Sequence, residues 1–243
     1  MSNDQDEILS HKEFKILKYK RGDKLPIKDL QYSIQQMIVA RWIMRINQRA
    51  MLRRLFLVHD MGSGKTIGSI LASNEHRQLY RLLGGGNIIV LSFQRATFMK
   101  EILSRPELGY ITYDEYNKLQ NLQAAATNEY NQIALANYIS FLKKRILNNE
   151  SIIRFIGYRE LHNMLFTNLQ NIEEVSKNIL AMFANAFIIC DEIHNTYNSQ
   201  TMNIYGEAIK YILRYYEGTD EAPNIIYMSG TPISNKPSES IDM

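Results

Sequence analysis

Lys65 and Thr66 follow Gly62, Ser63 and Gly64, and a flexible turn running into a cation and a hydroxyl is the arrangement that grips a phosphate chain. Two glycines allow the backbone to turn tightly enough for successive N–H groups to converge on phosphate oxygens, and a helix starting there adds the positive end of its dipole. Lys65 would then reach the β- and γ-phosphates, and the Thr66 hydroxyl would take one position on Mg²⁺. The usual opening glycine of this pattern is replaced by His59, followed by Asp60 and Met61. Gly-Ser-Gly alone would be an ordinary turn; Lys65-Thr66, with an apolar strand before the loop and a helical pattern after it, makes the nucleotide reading the stronger one.

A second cluster, Asp191-Glu192-Ile193-His194, closes the apolar run Ala186 to Cys190. Carboxylates at the end of a buried strand suit metal and water chemistry: Asp191 would hold Mg²⁺ through water, and Glu192 would orient or deprotonate the attacking water. Alone, Asp-Glu at a strand end is often only a helix cap. A third cluster, Ser229-Gly230-Thr231-Pro232, follows the run Asn224 to Met228. Its hydroxyls, Ser229 and Thr231, would sense the nucleotide through His194, whereas an isolated Gly-Thr-Pro would be a plain turn.

The elements that must position these clusters are legible as short β-branched runs: Leu55 to Val58, Asn87 to Leu91, Ile152 to Ile156, Ala186 to Cys190 and Asn224 to Met228. Helical stretches separate them, which predicts an α/β fold with a mostly parallel central sheet covered by helices on both faces, its working loops at the carboxyl ends of the strands. Gln31 to Arg49 has helical spacing, and Gln120 to Leu147 reads as one or two helices, too long for a plain crossover and so an inserted helical segment. Tyr110 to Tyr116 resembles Phe155 to Leu161; both read as strand exits, with no true repeat.

The 243 residues, 45% hydrophobic and 22% charged, are enough for a sizeable core. The chain divides into an N-terminal extension, 1–29, and one nucleotide-binding domain, 30–243. An acidic, polar N-terminus and the lack of a long apolar run predict a soluble intracellular protein without membrane spans. A single cysteine, Cys190, excludes an internal disulfide, and no Cys/His group has zinc spacing. The net charge of +3 is small, but basic residues gather between Lys12 and Arg54, where they suit either phosphates or a solvated helix face.

The ordered set His59 to Thr66, Asp191 to His194 and Ser229 to Pro232 resembles motifs I, II and III of superfamily 2 helicases of the DExH type, including the Snf2-like branch. The resemblance spans about residues 30 to 235. It implies a RecA-like P-loop domain that binds ATP and Mg²⁺ through Gly62, Ser63, Gly64, Lys65 and Thr66, with Asp191 on the metal, Lys65, Asp191, Glu192 and His194 in catalysis, and Ser229 and Thr231 in coupling. Tyr32 to Gln36, with Trp42 beyond, looks like the adenine-reading Q motif, which gives Gln36 to the nucleotide. Ser92-Phe93-Gln94-Arg95 and Gly157-Tyr158-Arg159 stand where motifs Ia and Ib belong, so the resemblance places Ser92, Arg95 and Arg159 on the backbone of DNA or RNA.

The histidine opening motif I, Asp191 to Asn195 and Ser229 to Ile233 together look like the transcription ATPases of poxviruses and related large DNA viruses, of the nucleoside triphosphate phosphohydrolase I and early transcription factor small subunit types. That implies a motor in viral transcription, partnered by transcription machinery, in the host cytoplasm at the virus factory and in the virion. Motors of this superfamily close two RecA-like lobes around ATP, and the second supplies an arginine finger worth on the order of 10³ to 10⁵ in rate. The chain corresponds to the first lobe, so alone it is expected to be weak or inactive as an ATPase.

Two other readings are weaker. A GTPase needs a base-reading carboxylate in Asn/Thr-Lys-x-Asp, and the nearest match, Asn235-Lys236-Pro237-Ser238, ends in serine. A non-catalytic nucleotide-binding interaction module of a transcription complex would have no need of Lys65, Thr66, Asp191 and Glu192 together.

Overall fold

The strands form where β-branched residues run together. In the computed structural model, which describes residues 33–46, 54–58, 64–83, 86–93, 95–148, 153–166, 177–196 and 204–230, they are β1 (Arg54–Val58), β2 (Ile88–Leu91), β3 (Arg154–Ile156), β4 (Phe187–Cys190) and β5 (Asn224–Ser229). They assemble into one sheet in the order β1-β5-β4-β2-β3, and every pairing is parallel. All five expected strands are present within a residue or two.

Parallel pairing requires crossovers, and helices supply them. They are α1 (Ile34–Ile46), α2 (Lys65–Leu83), α3 (Arg95–Ser104), α4 (Tyr113–Ala125), α5 (Glu129–Asn148), α6 (Tyr158–Phe166), α7 (Lys177–Ala181) and α8 (Ile204–Tyr215). The side-chain period of two sorts each strand between two cores. Ile88 and Val90 of β2 join Phe98, Ile102, Phe155, Ile189 and Ile226 on one face. Ile89 and Leu91 join Leu161, Leu165, Ile188, Ile209 and Ile225 on the other. Both faces are therefore sealed, as a parallel sheet requires.

The inserted helical segment is the pair α4–α5, and it begins earlier than expected. Tyr110 to Tyr116 is not a strand exit: Thr112 caps α4 by accepting from the Glu115 backbone N–H at 3.2 Å, while the Glu115 carboxylate accepts from the Thr112 N–H at 2.8 Å. The similar segment Phe155 to Leu161 does leave a strand, and there the Glu160 carboxylate reaches back to the Gly157 N–H at 3.2 Å. What the two share is a helix start whose third-position glutamate accepts from the N-cap N–H, one half of a capping box; glycine at position 157 cannot supply the other half.

Among the described residues no helix is long and apolar enough to cross a membrane. The N-terminal extension, most of the basic stretch from Lys12 to Arg53, and the loop residues His59, Gly62, Ser63 and Thr231 lie outside the described residues.

Candidate functional site

Strand order decides what meets at the carboxyl edge. β5 lies between β1 and β4, with Val58 registered on Ser229 and Cys190 on Tyr227. Ser229 therefore lies between the end of β1 at Val58 and the carboxyl end of β4, where Asp191 follows.

On the phosphate-loop side, Gly64 has φ +82, in the left-handed region where a Cβ is unfavourable, and Lys65 opens α2 directly after it. Gly64 also lies under Gln36: a Cβ built there would fall 2.0 Å from the Gln36 amide nitrogen. That amide donates to the Gly64 carbonyl at 3.3 Å, and its oxygen accepts from the Ser33 N–H at 2.9 Å while the Ser33 hydroxyl accepts from the Gln36 N–H at 3.3 Å. A capping box on α1 thus presents Gln36 to the phosphate loop. Thr66 follows in the first turn of α2, its carbonyl accepting from the Ser69 hydroxyl at 2.9 Å.

On the acidic side, the Asp191 N–H donates to the Leu91 carbonyl at 2.9 Å, and Ser92 donates its hydroxyl to Asp191 Oδ2 at 3.0 Å. Burial lifts the Asp191 carboxyl above its ordinary value; the Ser92 hydrogen bond opposes this, the neighbouring Glu192 charge adds to it, and the Lys65 ammonium lowers it again. The Tyr158 hydroxyl donates to the Asp191 carbonyl at 2.7 Å. Glu192 then takes φ 49, an uncommon conformation for a residue with a Cβ, as the chain turns out of the strand into the short 3₁₀ helix Ile193–Thr196.

That turn brings His194 back towards β5. Its Nδ1 lies 2.9 Å from the Ser229 hydroxyl and 3.3 Å from Glu192 Oε2. A carboxylate only accepts, so the contact is favourable when Nδ1 carries the proton, with Ser229 as a second acceptor. Glu192, His194 and Ser229 form a run from the acidic motif to the third motif.

The structure therefore brings together Gln36 with Gly64, and His194 with both Glu192 and Ser229, while the Lys65 charge is felt at Asp191. Ser92, which the resemblance assigned to the nucleic-acid backbone, lies beside the acidic motif. Ser92 is 2% exposed, and its hydroxyl is turned to Asp191. Arg95 and Arg159 are exposed at the starts of α3 and α6, and Arg95 pairs with Glu160. Sequence reasoning missed the roles of Ser92 and Tyr158 beside Asp191, although each stands at or just beyond a strand's carboxyl end, the one signal that marked them.

A helix start opening on Lys65, a left-handed glycine before it, and a buried carboxylate under the influence of that lysine suit a phosphate chain with a divalent cation. Among the described residues no group of three or more His, Cys, Asp or Glu side chains is placed to hold a metal by itself. Such a donor set fits a cation shared with a ligand's phosphates better than a resident metal.

Comparison with known proteins agrees with this layout. The chain is 27% identical to the "Early transcription factor large subunit homolog" of African swine fever virus, over 89% of the chain, in the tick isolate from South Africa, the warthog isolate from Namibia and the Badajoz strain alike. The chain spans 23% of the length of these relatives. They are viral transcription factor subunits by name, as the motif resemblance implied, although the name specifies the large subunit where the resemblance pointed to the small one or to the phosphohydrolase. Residues 29–234 match the family described as "Type III restriction enzyme, res subunit". With its all-parallel sheet, the chain belongs to that family of helicase-type, RecA-like superfamily 2 domains.

Proposed function

We propose that this domain is the ATP-binding lobe of a nucleic-acid-dependent, helicase-like ATPase that acts in viral transcription. The observation that carries the reading is the run Glu192–His194–Ser229, which links the residue suited to activating water with β5, the strand paired to the β1 that precedes the phosphate-loop motif.

In this reading the Gly64 turn and the start of α2 hold the phosphates, and Lys65 neutralises charge on the β- and γ-oxygens. Thr66 and, through water, Asp191 would hold Mg²⁺, which would supply further neutralisation of the phosphate charge. Ser92 fixes the rotamer of Asp191 by engaging one of its oxygens. Glu192 orients the attacking water and accepts its proton, while His194 holds the carboxylate in place. Loss of the terminal phosphate changes what Glu192 faces, and His194 passes that change to Ser229 and on to Thr231. Gln36, bonded to Gly64, links contact with the adenine ring to the shape of the phosphate loop. Arg95 and Arg159 contact the phosphates of DNA or RNA, positioning the strand without reading its sequence. In this reading the lobe is part of a larger transcription factor, with a second RecA-like lobe and transcription machinery as partners; the relatives' names and their greater length support it.

The test is ATP turnover by this chain and by the full-length protein, with and without single- and double-stranded DNA and RNA, beside Lys65→Ala and Glu192→Gln. Nucleic-acid-stimulated turnover by the full-length protein, abolished by both substitutions and weak in the lobe alone, is expected. Turnover that survives both substitutions would overturn the reading.

A further inference from the structure

Phe93 is an exposed aromatic beside Tyr158, the residue that donates to the Asp191 carbonyl. It follows Ser92 at the exit of β2, is 49% exposed, and its ring lies 4.7 Å from that of Tyr158 and 6.0 Å, edge-on, from that of Tyr205. Tyr158 itself is 1% exposed and donates its hydroxyl to the Asp191 carbonyl. A phenylalanine half in solvent gains little from burial, yet this one stands on a rigid aromatic base, two residues before Arg95 and against the first residue of the helix that carries Arg159. A flat apolar face among cations fits an unpaired nucleobase, which has a π-face whatever its identity and a phosphate on each side.

We propose that Phe93 is a stacking platform for an unpaired base of a single-stranded nucleic acid, and that Tyr158 beneath it links an engaged strand to the backbone at Asp191. The inference rests on the nucleic-acid-dependent reading above and adds to it a contact with bases, where Arg95 and Arg159 contact only phosphates. Tyr158 is a positioning residue. Its hydrogen bond is to the carbonyl just before Glu192, whose left-handed backbone responds to a shift of the peptide on either side.

Binding of short oligothymidylate, oligouridylate and a matched abasic strand to this chain separates the terms. All three carry the phosphates, only the first two carry bases, and the first two distinguish DNA from RNA. The wild-type chain is expected to prefer at least one base-bearing strand over the abasic one by roughly tenfold, and Phe93→Ala to erase that preference while keeping the steep salt dependence of phosphate contacts. Trp42 is the chain's one tryptophan, so Phe93→Trp in a Trp42→Phe background gives a local signal: the base-bearing strand quenches it and the abasic strand does not. In the full-length protein Tyr158→Phe keeps the ring under Phe93, so the preference for the base-bearing strand persists while stimulation of ATP turnover by that strand falls severalfold.

Equal binding of abasic and base-bearing strands by the wild type overturns the stacking platform and leaves the phosphate contacts standing. Undiminished stimulation in Tyr158→Phe overturns the link to Asp191. Failure of the wild type to bind any strand overturns the inference together with the nucleic-acid-dependent reading beneath it.

Discussion

The strand that leads to the phosphate loop and the strand that delivers the carboxylates are housed very differently. β4 is buried at all four positions, with β2 on one side and β5 on the other, and its carboxyl end is wired by hydrogen bonds to Ser92, Tyr158 and Ser229. β1 pairs with β5 alone among the described strands, and Arg54, Phe56 and Val58 are exposed along it. The acidic side is thus fixed before any ligand arrives, which is how groups meant to stabilise developing charge save reorganisation in the reaction. Among the described residues the phosphate side shows a helix start at Lys65 and a bracing amide at Gln36, which makes it the side more open to tuning by neighbours. Three perturbations address this asymmetry, in order of expected size.

The largest acts on the contact that ties the two sides together. α2 starts with Lys65 and, three turns on, sends the His76 Nε2 to the Asn185 carbonyl at 3.2 Å, at the entrance to β4, with the His76 ring 5.0 Å from that of Phe187. Burial, partly offset by that backbone hydrogen bond, lowers the His76 pKa from 6.5 to about 4. Between those values the unfolded chain takes up a proton that the folded one refuses. The neutral imidazole's contribution is therefore fully present above about pH 6.5 and is lost as pH falls towards 4, to a limit of about 3 kcal/mol. His76→Gln keeps a donor nitrogen within reach of Asn185 and removes the titration. Denaturant unfolding from pH 7 to 4.5 is expected to show a steeper loss of stability in the wild type than in the variant; parallel curves would mean that acid acts elsewhere.

The next acts on the phosphate side alone. Gly64→Ala places a Cβ at φ +82 and within 2.0 Å of the Gln36 amide nitrogen. The amide is the tip of a flexible side chain and can swing away, at the loss of its bond to the Gly64 carbonyl, whereas the backbone has no such escape. The left-handed conformation costs an L-residue roughly 1–2 kcal/mol. We expect Gly64→Ala to weaken binding of a fluorescent ATP analogue by about tenfold, and Gln36→Ala in the same chain to restore little of it. Substantial rescue by Gln36→Ala would put the cause in packing and make the amide the governing brace.

Much of this was legible in sequence because it is local. Each strand announces itself as a β-branched run; Asp191-Glu192 follows its strand directly, and Gly64-Lys65-Thr66 follows its own after five further residues. The capping box at Thr112 and Glu115 was also written locally, and the reading of Tyr110 to Tyr116 as a strand exit passed over it. The partners of Asp191 were not legible. Ser92 meets Asp191 only because β2 lies beside β4, and Tyr158 only because β3 lies beyond β2, and strand order is a property of the whole sheet. A serine after an apolar run suggests a surface loop; it became a buried ligand of a carboxylate through pairings far apart in sequence.

The smallest effect tests whether the acidic side is wired across to β5 or merely next to it. Ser229 is fully buried, and its hydroxyl faces His194 Nδ1, which also faces Glu192. Ser229→Ala should cost about 1 kcal/mol, the usual net worth of one hydrogen bond. His194→Ala leaves the Ser229 hydroxyl without this contact and should cost at least as much. The informative number is the coupling between them: once His194 is alanine, removing the hydroxyl has little left to break, so the double variant should be less destabilised than the sum by about 1 kcal/mol. Simple additivity in denaturant unfolding would show that the 2.9 Å contact carries no energy, and the route from Glu192 to the third motif would then have to run through the backbone of the 3₁₀ helix.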